Sequence, residues 1–214
     1  MLHGVVSRRG LGGWLAAGAF VLIATSARAG AFPAAEETVR RLVEDIAELL
    51  AERRRGSSLG IEQLGNVIDQ EADLDLLGRL ALGRHWRTAT AEQQAEYESL
   101  FRVVMLRRFA GYLNAYAGNT LDGSVADLIQ IQGSREVAGG DVMVDSTISP
   151  PGQPPLDVKW RLRQRDTKPA VIDLIVEEVS LLITQRSEFA SVIEQSGMDG
   201  LLAKLRDQVG QAPT

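Results

Sequence analysis

The change of hydrophobic period near residue 118 constrains this chain most. Before it, apolar residues recur at three- and four-residue spacing; after it, they alternate. A helical pattern does not settle into a strand, nor the reverse. The chain therefore has to lay down helices first, then a sheet, then helices again. Val39, Leu42, Val43, Ile46, Leu49 and Leu50 line one face of a helix. Pro33 can open it, with Glu36 and Glu37 at its positive end, and it stops near Gly56-Ser57-Ser58. A second helical region runs from about Ile61 to Leu82, broken near Asp69–Asp73 and stopped at Gly83. Thr90-Ala91-Glu92-Gln93 reads as a capping box. It opens the longest helix, to about Ala117. The wide stripe there holds Tyr97, Leu100, Phe101, Val104, Met105, Leu106, Phe109, Tyr112, Leu113 and Tyr116.

Past Gly118-Asn119, strands are expected at Leu128–Val137, Asp141–Ser149, Leu156–Gln164 and Ala170–Leu182. The third is the clearest: Leu156, Val158, Trp160 and Leu162 point one way, and Asp157, Lys159, Arg161 and Arg163 the other. The run Pro150–Pro155 is a turn that cannot be strand interior. Short connections imply an antiparallel meander with one wet face. A helix is expected at Ser187–Ser196, ended by Gly197, and a last one at Met198–Val209. The fold class is α+β: helices packed on a four-stranded antiparallel sheet.

The N-terminus has the order of an export signal. Residues 1–29 hold Arg8, Arg9 and Arg28 and no acid, Leu11 to Thr25 is uncharged, and Ala27-Arg28-Ala29 is a small-residue cleavage site. The uncharged run is shorter than the roughly 20 apolar residues of a spanning helix, so cleavage is expected, by the Sec route. Ser7-Arg8-Arg9-Gly10-Leu11 also resembles a twin-arginine motif. Cleavage removes three arginines, moving the formal charge from -5 to -8, and leaves His85 as the sole histidine. Residues 30–209 are then the functional domain, with 210–214 a frayed tail.

The side chains exclude much chemistry. There is no Cys, hence no disulfide, thiolate metal site or thiol catalysis. His85 lies between Arg84 and Arg87, and Ser57-Ser58 of Gly56–Gly60 lie in a linker-like turn rather than at a strand-to-helix elbow, so His85 reads as a helix-end residue. Asp69, Glu71, Asp73 and Asp75 lack the EF-hand glycine and read as a solvated helix junction. No P-loop or G-x-G-x-x-G is present. Asp173, Glu177 and Glu178 are the candidates for acid–base work, against a plain reading as rim charges or salt bridges. The row Lys159, Arg161, Arg163, Arg165 is interrupted by acids, and only Trp160 lies near it, on the other face, which disfavours nucleic acid. No metal, cofactor or catalytic residue is expected.

Three separated stretches carry a family resemblance. One is Asp73–Arg87 (DLDLLGRLALGRHWR), followed by Thr90, Gln93-Gln94, Phe101 and Tyr112-Leu113. Another is Val158–Leu162 (VKWRL). The last is Val171–Leu181 (VIDLIVEEVSL), then Gln185–Phe189 and Gly197–Leu202. Their order and spacing over residues 33–209 resemble the MlaC family, also called the toluene-tolerance family, of periplasmic phospholipid-binding proteins. A hopanoid-associated branch, HpnM, is similar as well. The family's usual D-x-x-x-E-G-x-S has Glu178 in place of its Gly here, which reads as a departure at a strand position. The resemblance implies an NTF2/cystatin-like fold with an apolar pocket between helices and sheet. It implies a monomeric, non-enzymatic shuttle carrying phospholipid between an outer-membrane lipoprotein complex and an inner-membrane Mla-type ABC transporter. A carrier of hopanoid or another lipid, a small-molecule enzyme on an NTF2-like cone using Asp173 or Glu177, and a charged adaptor without a cavity are the alternatives.

The physics of such a carrier is simple. At about 0.8 kcal/mol per methylene, two tails of roughly 15 methylenes oppose exposure to water by on the order of 20 kcal/mol. Apolar walls answer that, with no particular head-group code. The expected wall is Leu76, Leu80, Phe101, Val104, Met105, Phe109, Tyr112 and Tyr116 from helices. The strands add Val142, Val144, Ile148, Val158, Trp160, Leu162, Ile172, Leu174 and Val176. For any single one of them, ordinary core packing is the reading that weighs more.

Overall fold

The structure, a computed structural model, describes residues 31–54, 60–117, 129–149 and 154–210. The first helices are α1 (Pro33–Arg54), α2 (Ile61–Glu71) and α3 (Leu74–Leu82). A 3-10 turn (Gly83–Arg87) leads to α4 (Ala91–Ala117). The strands are β1 (Ile129–Val137), β2 (Asp141–Ile148), β3 (Leu156–Arg165), β4 (Lys168–Val176) and β5 (Val179–Ser180), and α5 (Leu181–Gly210) closes the order. The export signal, the end of the first helix at Gly56–Ser58, the centre of the proline-rich turn and residues 211–214 lie outside the described residues.

Local chemistry explains the helix boundaries. The break expected near Asp69–Asp73 is present: Asp73 ends it by accepting the Leu76 N–H at 2.9 Å, the N-cap of α3. The capping box of α4 closes both ways, Gln93 N–H to Thr90 Oγ1 at 3.2 Å and Thr90 N–H to Gln93 Oε1 at 3.0 Å. Gly197, at φ 72°, interrupts α5 where the sequence places a helix stop.

The strands form one antiparallel meander in the order β1-β2-β3-β4-β5. Register sets Val142 opposite Leu162, Val144 opposite Trp160 and Ser146 opposite Val158. On the other side of β3, Trp160 faces Leu174 and Val158 faces Val176. This inward row is apolar except for Ser146, which accepts from Trp160 Nε1 at 2.8 Å and donates to the Val158 carbonyl at 2.9 Å. The cations of the outward row are all partnered. Lys159 pairs with Glu178, Arg161 and Arg163 hold Asp141, and Arg165 donates to the carbonyls of Ala72, Asp69 and Gln70.

Two expectations are corrected after residue 176. Among the described residues the sheet has five strands rather than four, and the fourth stops at Val176 instead of continuing to Leu182. Glu177 and Glu178 have φ of 48° and 65°, so they form a tight turn. Glu178 thus stands at a left-handed turn position, not in a strand, which is the physical reason for Gly in the usual pattern. β5 is two residues long, and Ser180 immediately caps α5 by accepting the Ile183 N–H at 3.0 Å. The helix therefore starts at Leu181, not Ser187. The apolar run Val179–Ile183 is too short for a period to show where strand ends and helix begins.

Apolar burial falls into two cores, not one. The first lies between α1, α2 and the sheet, around Val39, Leu64, Ile68, Val144, Trp160 and Leu162. The second is purely helical, made by α3, α4 and α5 around Leu82, Tyr97, Phe101, Phe189, Leu201 and Leu202. α4 serves both: Tyr97, Phe101 and Val104 enter the helical core, while Leu106, Phe109 and Leu113 reach the sheet-side core. Gly78 lets α3 approach α4 closely, since a Cβ there would meet the Phe101 ring at 3.0 Å. The Tyr97 hydroxyl donates to the Gly78 carbonyl at 2.9 Å, and burial pushes its pKa up.

Asp141, fully buried at the start of β2, carries an acid-stability prediction. Burial pushes its carboxyl up, but hydrogen bonds from Arg163 and Arg161 outweigh that and hold it below its ordinary value. A depressed folded pKa gives stability that is whole above the unfolded value of about 3.9 and lost as pH falls through the folded one. Asp141→Asn should lower stability at pH 7 by about 2 kcal/mol, below the 3–5 of a fully buried pair because both arginines are a third exposed. Its urea midpoint should also fall less than the wild type's between pH 5 and pH 3. Parallel slopes for the two proteins would show that Asp141 does not drive the acid limb.

Candidate functional site

Where the two cores meet, they leave a cleft of about 130 Å³. Leu74 and Leu77 of α3 line it, with Met105, Arg108, Phe109 and Tyr112 of α4 and Asp173 and Leu174 of β4. The first turns of α5 complete it with Leu181, Leu182, Thr184, Gln185 and Glu188. Leu74 and Phe109 belong to the sheet-side core, and Leu77, Met105 and Leu182 to the helical one. The cleft is therefore a seam between the two cores. Of the large exposed apolar side chains among the described residues, Tyr112 (59%) and Leu181 (37%) line it, while Val179 and Ile183 stand two residues to either side of Leu181 in the chain.

The polar side chains around the cleft are organised. Asp173 accepts from the Ser180 hydroxyl at 2.6 Å and from the Leu182 N–H at 3.0 Å. Both its oxygens serve the start of α5, where a negative charge is favoured. At the other edge, Arg108 Nη1 donates to Gln185 Oε1 at 2.5 Å, and its Nη2 lies 3.9 Å from Glu188. Glu188 is held more closely by Lys204 Nζ at 2.7 Å and by Gln185 Nε2 at 3.1 Å. Burial raises the Glu188 pKa, yet Lys204, Arg108 and Gln185 together bring it below the ordinary value.

Of the side chains expected as wall, the structure brings Met105, Phe109, Tyr112 and Leu174 to the cleft. Phe101 and Val104 lie inside the helical core. Val144, Val158, Trp160 and Leu162 are in the sheet-side core, with Val142, Ile148 and Val176 packed against it. Ile172 is fully buried, while Leu76 and Leu80 are half-buried on α3 away from the cleft lining. Tyr116 falls in the last turn of α4, where side chains lie outside the described residues. Leu74, Leu77, Leu181 and Leu182 line the cleft without having been singled out. Leu74 and Leu77 are three residues apart, the spacing of a helix face other than that of Leu76 and Leu80, so that signal existed. Leu181 and Leu182 were hidden by their assignment to a strand.

The other sequence candidates have structural partners. Glu177 accepts the Asp157 N–H at 2.9 Å, and Glu178 pairs with Lys159. Asp69 binds Arg102 through both oxygens, and buried Glu71 pairs with Arg41 at 3.2 Å and Lys168 at 3.0 Å. His85 sits in the 3-10 turn and accepts from Arg84 Nε at 3.4 Å.

Comparison with known proteins gives consistent matches. A family model described as MlaC protein matches residues 36–207. The intermembrane phospholipid transport system binding protein MlaC of Haemophilus influenzae is 23% identical over 143 residues, 65% of this chain and 63% of that protein. The match thus spans just under two thirds of that relative's length. The phospholipid-binding protein of Ralstonia solanacearum, solved in complex with a phospholipid, superposes with a TM-score of 0.62 at 26% identity. That superposition covers 81% of this chain and 96% of the other.

Proposed function

The chain belongs to the MlaC family, and from that premise we propose that it is a periplasmic phospholipid carrier. It takes acyl chains into the cleft between its two cores and passes them between an outer-membrane lipoprotein complex and an inner-membrane Mla-type ABC transporter. The observation that carries this reading is the cleft itself, an apolar seam with exposed apolar side chains at its edge. The relatives support it: one is named for phospholipid transport between membranes, and another holds a phospholipid. The working protein is the exported chain without residues 1–29, acting as a monomer.

The cavity is small for this task. A cleft of about 130 Å³ is far smaller than two acyl chains. Loading therefore requires the cleft to widen. The partner that receives the lipid must offer an equally apolar environment, because an exposed intermediate is opposed by on the order of 20 kcal/mol.

The enzyme alternative asks for a carboxylate free to take a proton. Asp173 has both oxygens engaged and Glu177 stands on an exposed turn, so nothing favours that reading. Native mass spectrometry of the mature protein, purified from a lipid-rich host, should show the mass of one bound phospholipid. Lipid-free protein would overturn the reading, and a hopanoid mass would move it to the other branch.

A further inference from the structure

We propose that Arg108 is the head-group residue of the cleft, a guanidinium placed to bind the phosphodiester of a glycerophospholipid whose chains lie between the two cores. The inference rests on the carrier reading and adds a specificity to it that apolar walls alone do not supply.

Among the described residues lining the cleft, Arg108 is the one cation. On α4 it follows Met105 by three residues and precedes Tyr112 by four, so it stands at the edge of the same cleft-lining face. A guanidinium has five N–H donors. Here one meets a neutral amide oxygen, Gln185 Oε1, at 2.5 Å, and the nearest carboxylate, Glu188, stands at 3.9 Å. Glu188 is already matched by Lys204 at 2.7 Å, which leaves the Arg108 charge as the surplus of the cluster. The other carboxylate of the lining, Asp173, is committed to the Ser180 hydroxyl and the Leu182 N–H. A phosphodiester can accept two parallel N–H bonds from one guanidinium and carries the opposite charge, neither of which a single neutral amide oxygen offers. Arg108 is also about one third exposed, so the bound phosphate stays at the wet edge while the chains are covered.

The test is a loading competition. The mature wild type and Arg108→Gln are incubated with vesicles holding equal parts of phosphatidylglycerol and diacylglycerol with the same chains. Native mass spectrometry then reads the ratio of the two lipids on each protein. The expected result is a strong wild-type preference for phosphatidylglycerol that falls about tenfold in Arg108→Gln. Arg108→Lys should keep an intermediate ratio, as a point charge without the fork. Diacylglycerol loading reports on the fold of each variant. Equal ratios in wild type and Arg108→Gln would overturn the head-group role while leaving the carrier intact. Failure of wild type to load either lipid would instead overturn the carrier reading. A melting shift of the wild type by inorganic phosphate alone, with no lipid preference, would assign Arg108 to a free anion and overturn the lipid assignment.

Discussion

Replacing Phe101 by Ala should cost the folded protein about 4 kcal/mol, within the usual range for a large aromatic removed from a core. The ring is 2% exposed in the helical core. It stacks on Tyr97 with centroids 5.4 Å apart and meets Phe189 edge-on at 6.2 Å. On its other side it covers Gly78, with no Cβ between ring and backbone. Neighbouring helices cannot easily fill the hole, because α3 already touches the ring. For a domain of this size the loss should appear as a drop in melting temperature of about 10 °C. Circular dichroism melts of the mature protein would read it. A drop of only a few degrees would mean that the three helices repack freely and that the helical core is not a rigid wall of the cleft.

Leu77→Trp should separate lipid capture from stability. Leu77 lines the cleft from α3, and an indole there fills space that is otherwise empty. Filling an open cleft adds apolar contacts without leaving a hole elsewhere, so the variant should melt at the wild-type temperature or a few degrees above it. Its lipid content by native mass spectrometry should fall at least tenfold, because the acyl chains have lost their point of entry. A variant that melts like wild type and still holds a full complement of lipid would remove the cleft as the binding site.

Much of the fold was legible as pattern. The switch of period, the capping box at Thr90, the break before α3 and the alternation in β3 each report a local rule with a fixed spacing. Legibility failed at Val179–Leu182, where an apolar run of a few residues changes from strand to helix. There the deciding features are the positive φ at Glu177 and Glu178 and the hydroxyl of Ser180 bridging Asp173 and the new helix. None of these has a period. The same error concealed Leu181 and Leu182, which form the α5 side of the cleft.

The tyrosine-rich stripe of α4 shows the other limit. Pattern marks its residues as inward without saying toward what. In three dimensions the helix runs from one core into the other, so Phe101 and Val104 pack among helices, and Met105 and Phe109 arrive at the seam. The sequence by itself determined the kinds and order of elements, the lack of reactive thiols and the apolar inventory that a carrier needs, since these depend on neighbours along the chain. Only the tertiary structure decided that burial splits into two cores with a cleft between them and that Arg108 stands at its edge. Those outcomes depend on which helices pack together across long sequence separations, a choice that hydrophobic burial, being non-directional, leaves to the fit of the whole.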